Sequence, residues 1–112
     1  MSSRDEAHLR ILKIVSGEPE ISQRQLAARL GVSLGKTNFL IRALLEKGLI
    51  KVGNFGRADN KLVYAYLLTP KGIGAKVCLT RAYLARKEAE YEALYAEIKA
   101  LRSEAAASDR AG

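Results

Sequence analysis

The stretch SQRQLAARLGVSLGKTNFLIRALLEKG, residues 22–48, decides the fold. Ser22 stands three residues before Gln25, the spacing of a capping box. Its hydroxyl can accept from the backbone of a new helix while the glutamine reaches back. Leu26, Ala27 and Leu30 then share one helical face, and Gly31 suits the left-handed position that closes a helix. Ser33 caps the next helix almost at once. That helix is predicted from Leu34 to Lys47, with Thr37, Leu40, Ile41 and Leu44 inward and Gly48 as its stop. Two helices joined by the short turn Leu30-Gly31-Val32-Ser33 carry the helix-turn-helix signature.

On the N-terminal side, Leu9, Leu12 and Val15, with Ile11 alongside, recur at helical spacing between Asp5 and Ser16. Gly17-Glu18-Pro19-Glu20 stops that helix, and Ile21 stands alone in an extended setting as a candidate one-residue strand. On the C-terminal side the period changes. Leu49, Ile50 and Val52 read as a short strand, Gly53 to Lys61 as a hairpin loop, and Leu62 to Leu68 as the returning strand. Thr69-Pro70 then caps and opens a fourth helix. The order predicts a mainly α fold with a small β-hairpin (α+β): a winged helix-turn-helix over residues 1–69, then a long C-terminal helix.

That last helix is predicted over 70–106, with 107–112 as a frayed tail. Val77, Leu84, Tyr91, Ile98 and Ala105 are spaced by sevens, and Leu94 and Leu101 fill the companion positions. Leu84, Tyr91, Leu94, Ile98 and Leu101 are therefore the candidate dimerisation residues. The plainer alternative is one amphipathic helix lying back on its own domain.

Composition removes whole classes of function. The chain has 112 residues, 48% of them hydrophobic and 28% charged, ordinary for one core-forming domain with an appendage. No apolar run is long enough to span a bilayer, and the start Met1-Ser2-Ser3-Arg4-Asp5-Glu6 leads into no signal core. A cytoplasmic location is the expectation. With one cysteine (Cys78) and one histidine (His8), neither an internal disulfide nor a Cys/His zinc site can be assembled. No catalytic residue, metal or cofactor is assigned.

The charge is uneven. Residues 1–76 carry 13 basic and 6 acidic residues, whereas residues 77–112 carry 6 of each, so the net +7 belongs to the first two-thirds. A basic domain with a neutral tail suits a polyanionic partner, although a basic surface also serves simple solubility.

Gly31 to Thr37 looks at first like a phosphate-binding P-loop. That loop needs glycine, four residues, then Gly-Lys-Ser/Thr after a strand. Here Leu30 stands where the first glycine belongs and a helix precedes it, so the motif fails.

Several stretches together resemble the MarR family of bacterial transcription regulators. They are Ile21 to Ala27, Leu30-Gly31-Val32-Ser33, Leu44 to Ile50, and Leu68-Thr69-Pro70-Lys71-Gly72. Ser33 to Phe39 and Asn60 to Pro70 look like a small MarR-type subgroup found with exopolysaccharide biosynthesis genes. The resemblance implies a homodimer that binds a palindromic operator in double-stranded DNA and associates with the nucleoid when bound. Typical members carry an extra N-terminal helical stretch that joins the C-terminal helix in dimerisation. Here little precedes the first helix, so pairing is expected to rest on the C-terminal one.

In such an arrangement the third helix enters the major groove by its N-terminal end. The outward residues Ser33, Leu34, Gly35, Lys36, Asn38, Phe39 and Arg42 are the candidate readers. Ser33 and Gly35 suit a phosphate at the helix start, Lys36 a guanine edge or phosphate, Asn38 an adenine, and Arg42 a phosphate. Leu34 and Phe39 suit thymine methyl groups; otherwise Phe39 packs beneath the hairpin or against the second helix. Ser22 and Gln23 are candidate phosphate contacts. In the wing, Arg57 is the candidate for the minor groove, with Asn54, Asn60 and Lys61 beside it. The residues specify neither an operator sequence nor a small-molecule effector. A winged helix used for protein–protein contact, with a coiled-coil tail, is the main rival. An enzyme is a distant third, since no nucleophile has a base.

Overall fold

A computed structural model describes residues 1–56 and 62–111. Its elements are α1 (Ser3–Gly17), α2 (Gln23–Leu30), α3 (Leu34–Glu46), β1 (Ile50–Gly56), β2 (Leu62–Leu68) and α4 (Pro70–Ala111). Compact packing divides the chain into two units, Met1–Thr80 and Arg81–Gly112. The first unit extends eleven residues beyond the expected boundary at 69, because the opening turns of α4 pack onto the hairpin domain.

Each helix start is satisfied locally. The Asp5 amide donates to Ser2 Oγ at 3.0 Å, and the capping box predicted at α2 is complete, with Ser22 and Gln25 bonding reciprocally. The Lys36 amide donates to Ser33 Oγ at 3.0 Å. The helix ends are closed with equal economy. Gly31 and Gly48 take φ of 70° and 71°, which glycine adopts without the Cβ strain of other residues. After Gly48, the Leu49 amide reaches the Leu44 carbonyl and the Gly48 amide the Leu45 carbonyl, both at 3.0 Å, the two-bond Schellman closure. Arg10 of α1 donates to the Arg29 and Leu30 carbonyls at the end of α2.

The core gathers one face of each element. Ile11, Leu12 and Val15 of α1 meet Leu26 and Leu30 of α2, Leu40, Ile41 and Leu44 of α3, and Leu49 and Ile50. Burying each such side chain is worth roughly 1.5–3 kcal/mol. Thr37 is fully buried among them, and its hydroxyl donates to the Ser33 carbonyl at 3.0 Å, so that hydroxyl is not stranded.

The hairpin is antiparallel, with Ile50 opposite Leu68, Val52 opposite Tyr66 and Asn54 opposite Tyr64. β1 therefore runs on to Gly56, four residues past the expected strand, and Asn54 is a strand residue rather than a loop residue. Gly53 allows this continuation, since a Cβ there would lie 2.9 Å from Leu67 Cδ1. The anticipated strand at Ile21 does not form. Ile21 is buried, and β2 is tied to this connection by the Tyr66 amide donating to the Pro19 carbonyl at 2.9 Å.

Thr69 links hairpin and α4. Its amide donates to the Leu49 carbonyl at 3.1 Å, its hydroxyl donates to the Gly48 carbonyl, and it accepts from the Gly72 amide at 3.0 Å. Lys71 caps the end of α3 by donating to the Lys47 carbonyl at 3.0 Å. In the second unit, the helix continues to Ala111, past the 107 at which fraying was expected. The run Ala105-Ala106-Ala107 supplies high helix propensity there, and no proline or glycine interrupts it. No helix among the described residues is long and apolar enough to cross a membrane.

Gly72 is the tightest approach in the first unit: a Cβ there would overlap the Leu49 carbonyl, which is already held by Thr69. Gly72→Ala is expected to lower stability by about 1–3 kcal/mol, because the overlap falls on backbone that cannot give way cheaply. Urea denaturation measures it, and an unchanged midpoint would contradict the close packing.

Candidate nucleic-acid interface

With Thr37, Leu40, Ile41 and Leu44 turned into the core, the opposite edge of α3 faces outward. Ser33, Leu34, Gly35, Lys36, Phe39 and Arg42 are all exposed, Leu34 at 46% and Phe39 at 52%. Two large apolar groups on the open face of a short helix are unusual for a surface with no partner. A Cβ at Gly35 would meet only Ser33 Oγ, at 4.0 Å, so another molecule's backbone could approach here unhindered.

Asn38 differs from its neighbours. It is half-buried, and its Nδ2 donates to Gln23 Oε1 at 3.1 Å. Gln23 Nε2 in turn donates to Tyr66 Oη, also at 3.1 Å. A three-residue relay thus runs from β2 through the start of α2 to the outward edge of α3. It holds the Asn38 amide in one orientation and leaves its Oδ1 as an acceptor. Gln23, expected as a phosphate contact, has both ends of its amide engaged within the protein. Ser22 is likewise occupied as a helix cap, although it remains exposed.

Phe39 is half exposed, and its ring has two cations close by, with Arg4 Cζ 5.7 Å and Lys36 Nζ 5.5 Å from its centroid. Arg4 has no place in the turn motif and is missed by motif reasoning. Only the packing of α1 against α3 brings it to this edge. Of the wing candidates, Asn54 is exposed on β1, whereas Arg57, Asn60 and Lys61 lie outside the described residues.

Two further basic side chains are committed elsewhere. Arg29 pairs with Glu18 at 2.7 Å, and Lys76 reaches Ser16 Oγ at 3.4 Å. Among the described residues, no group of three His, Cys, Asp or Glu side chains could hold a metal ion.

In the second unit, Leu84, Tyr91, Leu94, Ile98 and Leu101 are 40–67% exposed. Tyr95, which the seven-residue reading omitted, joins them: it is 62% exposed, and its ring centroid lies 6.4 Å from that of Tyr91. On the polar side Glu90 is held by Arg86 and Lys87, each at 3.1 Å.

Three helices with a tight turn between the second and third, followed by a two-stranded hairpin, make a winged helix-turn-helix. A family model described as winged helix-turn-helix DNA-binding matches residues 4–51. Among solved structures, the chain is similar to MepR, a transcription regulator of the Staphylococcus aureus multidrug efflux pump MepA. Identity is 19% and the TM-score 0.60, covering 93% of this chain and 79% of that one. It is also similar to a MarR/EmrR family transcriptional regulator from Acinetobacter sp. ADP1, at 22% identity and a TM-score of 0.60, covering 93% and 75%. A third is the zinc-responsive MarR family member ZitR of Lactococcus lactis, at 22% and 0.59, covering 84% of this chain and 60% of that one. At these identities the likeness is one of fold. No curated protein matches the chain significantly.

His8 lies beneath this surface, one turn after Arg4. It is 3% exposed, and its Nε2 has no hydrogen-bond partner among the described residues. Burial, and then the charges of Lys47 and Arg4, hold its pKa below the ordinary 6.5 against a smaller opposing pull from Asp5. The unfolded chain therefore takes up the proton first as pH falls. The stability tied to this group is whole above about pH 6.5 and is lost as pH drops below it. The urea midpoint is expected to fall as pH drops below about 6.5, and His8→Leu to flatten that fall. An equal decline in the variant would clear His8 of responsibility.

Proposed function

We propose that the protein is a DNA-binding transcription regulator of the MarR type, acting as a homodimer on a palindromic operator in the bacterial cytoplasm. The observation that carries this is the outward edge of α3, where Lys36, Arg42, Leu34 and Phe39 are exposed around an Asn38 held in place from behind. The positive excess of residues 1–76 supports it. Asn38 then reads an adenine edge, Lys36 and Arg42 meet guanine or phosphate, and Arg57 enters the minor groove from the wing. The resemblance of Ser33 to Phe39 and Asn60 to Pro70 to the exopolysaccharide-associated subgroup extends the proposal to control of such genes.

Selecting bound sequences from a random duplex pool tests the reading. A half-repeated site is expected, with affinity falling steeply as salt rises. On that site Asn38→Ala should lose about 1–3 kcal/mol at one base step, whereas Arg57→Ala should relax the preference for flanking A·T pairs. Equal losses on every sequence for both variants would overturn base reading.

A second reading, a winged helix that docks on another protein, is favoured by Val52 and Tyr64, which are 50% and 72% exposed on the hairpin. It predicts weak DNA retention that is insensitive to salt, so the same titration separates the two.

The homodimer is proposed to form through α4, where Tyr91, Leu94, Ile98 and Leu101 supply the seam and Tyr95 widens it. Glu97 and Arg102 would bridge parallel helices across that seam. Sedimentation at micromolar concentration should show a dimer, and Leu94→Asp with Ile98→Asp should give a monomer with weakened operator affinity. A wild-type monomer of full affinity would rule the arrangement out.

A further inference from the structure

Phe39 is more than half exposed, so its ring is not filling a core. It nevertheless gathers two cations from different elements, Arg4 from the first turn of α1 and Lys36 from the first turn of α3. Neither cation has a carboxylate within ion-pairing distance among the described residues. An aromatic face attracts each cation singly, but two like charges held around one ring repel each other unless an anion lies beside them. The arrangement is thus complementary to negative charge that the described residues do not place beside it.

We infer that Arg4 and Lys36, held by Phe39, form a contact site for the DNA phosphate backbone that extends the interface from α3 onto α1. The inference rests on the DNA-binding reading and names a contact which that reading does not need. A guanidinium presents a planar fork that matches two phosphate oxygens, and stacking on Phe39 restrains it before DNA arrives. Arg4 belongs to α1 rather than to the helix that enters the groove, so its natural target is the strand bordering the groove. Its contribution is therefore independent of sequence. Phe39 acquires a role different from thymine contact: it is the platform that positions both charges.

The test uses the full chain and a fluorescein-labelled random-sequence duplex of about 30 base pairs, titrated from about 50 to 250 mM salt. Arg4→Ala is expected to weaken binding several-fold at low salt, on this duplex and on a selected operator alike. The slope of log affinity against log salt should fall by about one. Arg4→Lys should keep the slope, and Phe39→Leu should weaken binding without altering the preferred sequence. If Arg4→Ala leaves affinity and slope unchanged while Arg42→Ala lowers both, the α1 site is overturned and DNA binding stands. If Phe39→Leu changes the preferred base at one A·T step, the platform role is overturned in favour of thymine contact. A wild-type chain that retains no duplex at low salt would defeat the DNA reading itself.

Discussion

The burial of one face of α3 is the constraint on which the rest depends. Thr37, Leu40, Ile41 and Leu44 are sealed against α1 and α2, each at 2% exposure or less. A helix of 3.6 residues per turn cannot hide those four positions without turning 35, 39 and 42 to its other side, with 36 and 38 on the flanks. The exposed edge is thus a geometric consequence of the core, and its chemistry was free to be chosen for something other than folding. Thr37 shows how close the trade-off runs. A polar residue sits at the centre of the packing because its hydroxyl can bond back to the Ser33 carbonyl, closing the helix start from within.

Around that constraint, the polar groups divide into those that hold the frame and those left over. Arg10, Lys71 and Thr69 each satisfy carbonyls at helix or strand ends, and Arg29 is taken by Glu18. The relay from Tyr66 through Gln23 to Asn38 belongs to both groups. It fastens the hairpin and α2 to α3, and it spends conformational freedom in advance that Asn38 would otherwise lose on contact with another molecule. An amide fixed in this way discriminates between hydrogen-bonding patterns better than a free one, because it cannot rotate to suit the wrong partner.

Most of the fold was legible because its signals are local. The Ser22–Gln25 capping box, the left-handed glycines 31 and 48, and the Thr69-Pro70 helix start all depend on residues within a turn of one another, and each forms as read. The inward and outward faces of α3 followed from periodicity alone. What escaped was tertiary. Nothing near Arg4 announces that α1 will set it against Phe39, and nothing in Gln23 distinguishes a phosphate contact from a strut between two distant side chains. The extent of β1 was misjudged because glycine and asparagine at 53 and 54 read as loop. In the structure, pairing with Ala65 and Tyr64 overrides that preference. Tyr95 was overlooked because a strict seven-residue pattern is narrower than the apolar stripe a helix can present.

The separation of charge between the two parts of the chain follows a physical logic of its own. Two copies of a domain carrying the whole positive excess repel each other, and they do so most strongly at the low ionic strength that favours polyanion binding. An element meant to bring such copies together must supply attraction that salt does not screen and must add no net charge. Residues 77–112 meet both conditions, with six basic residues balanced by six acidic ones and with Tyr91, Leu94, Tyr95, Ile98 and Leu101 exposed along the helix. Apolar burial is largely indifferent to ionic strength, so in the proposed dimer the pairing element and the charged surface answer to different variables. If the chain pairs as proposed, that independence lets affinity for a polyanion vary with salt while the dimer stays intact.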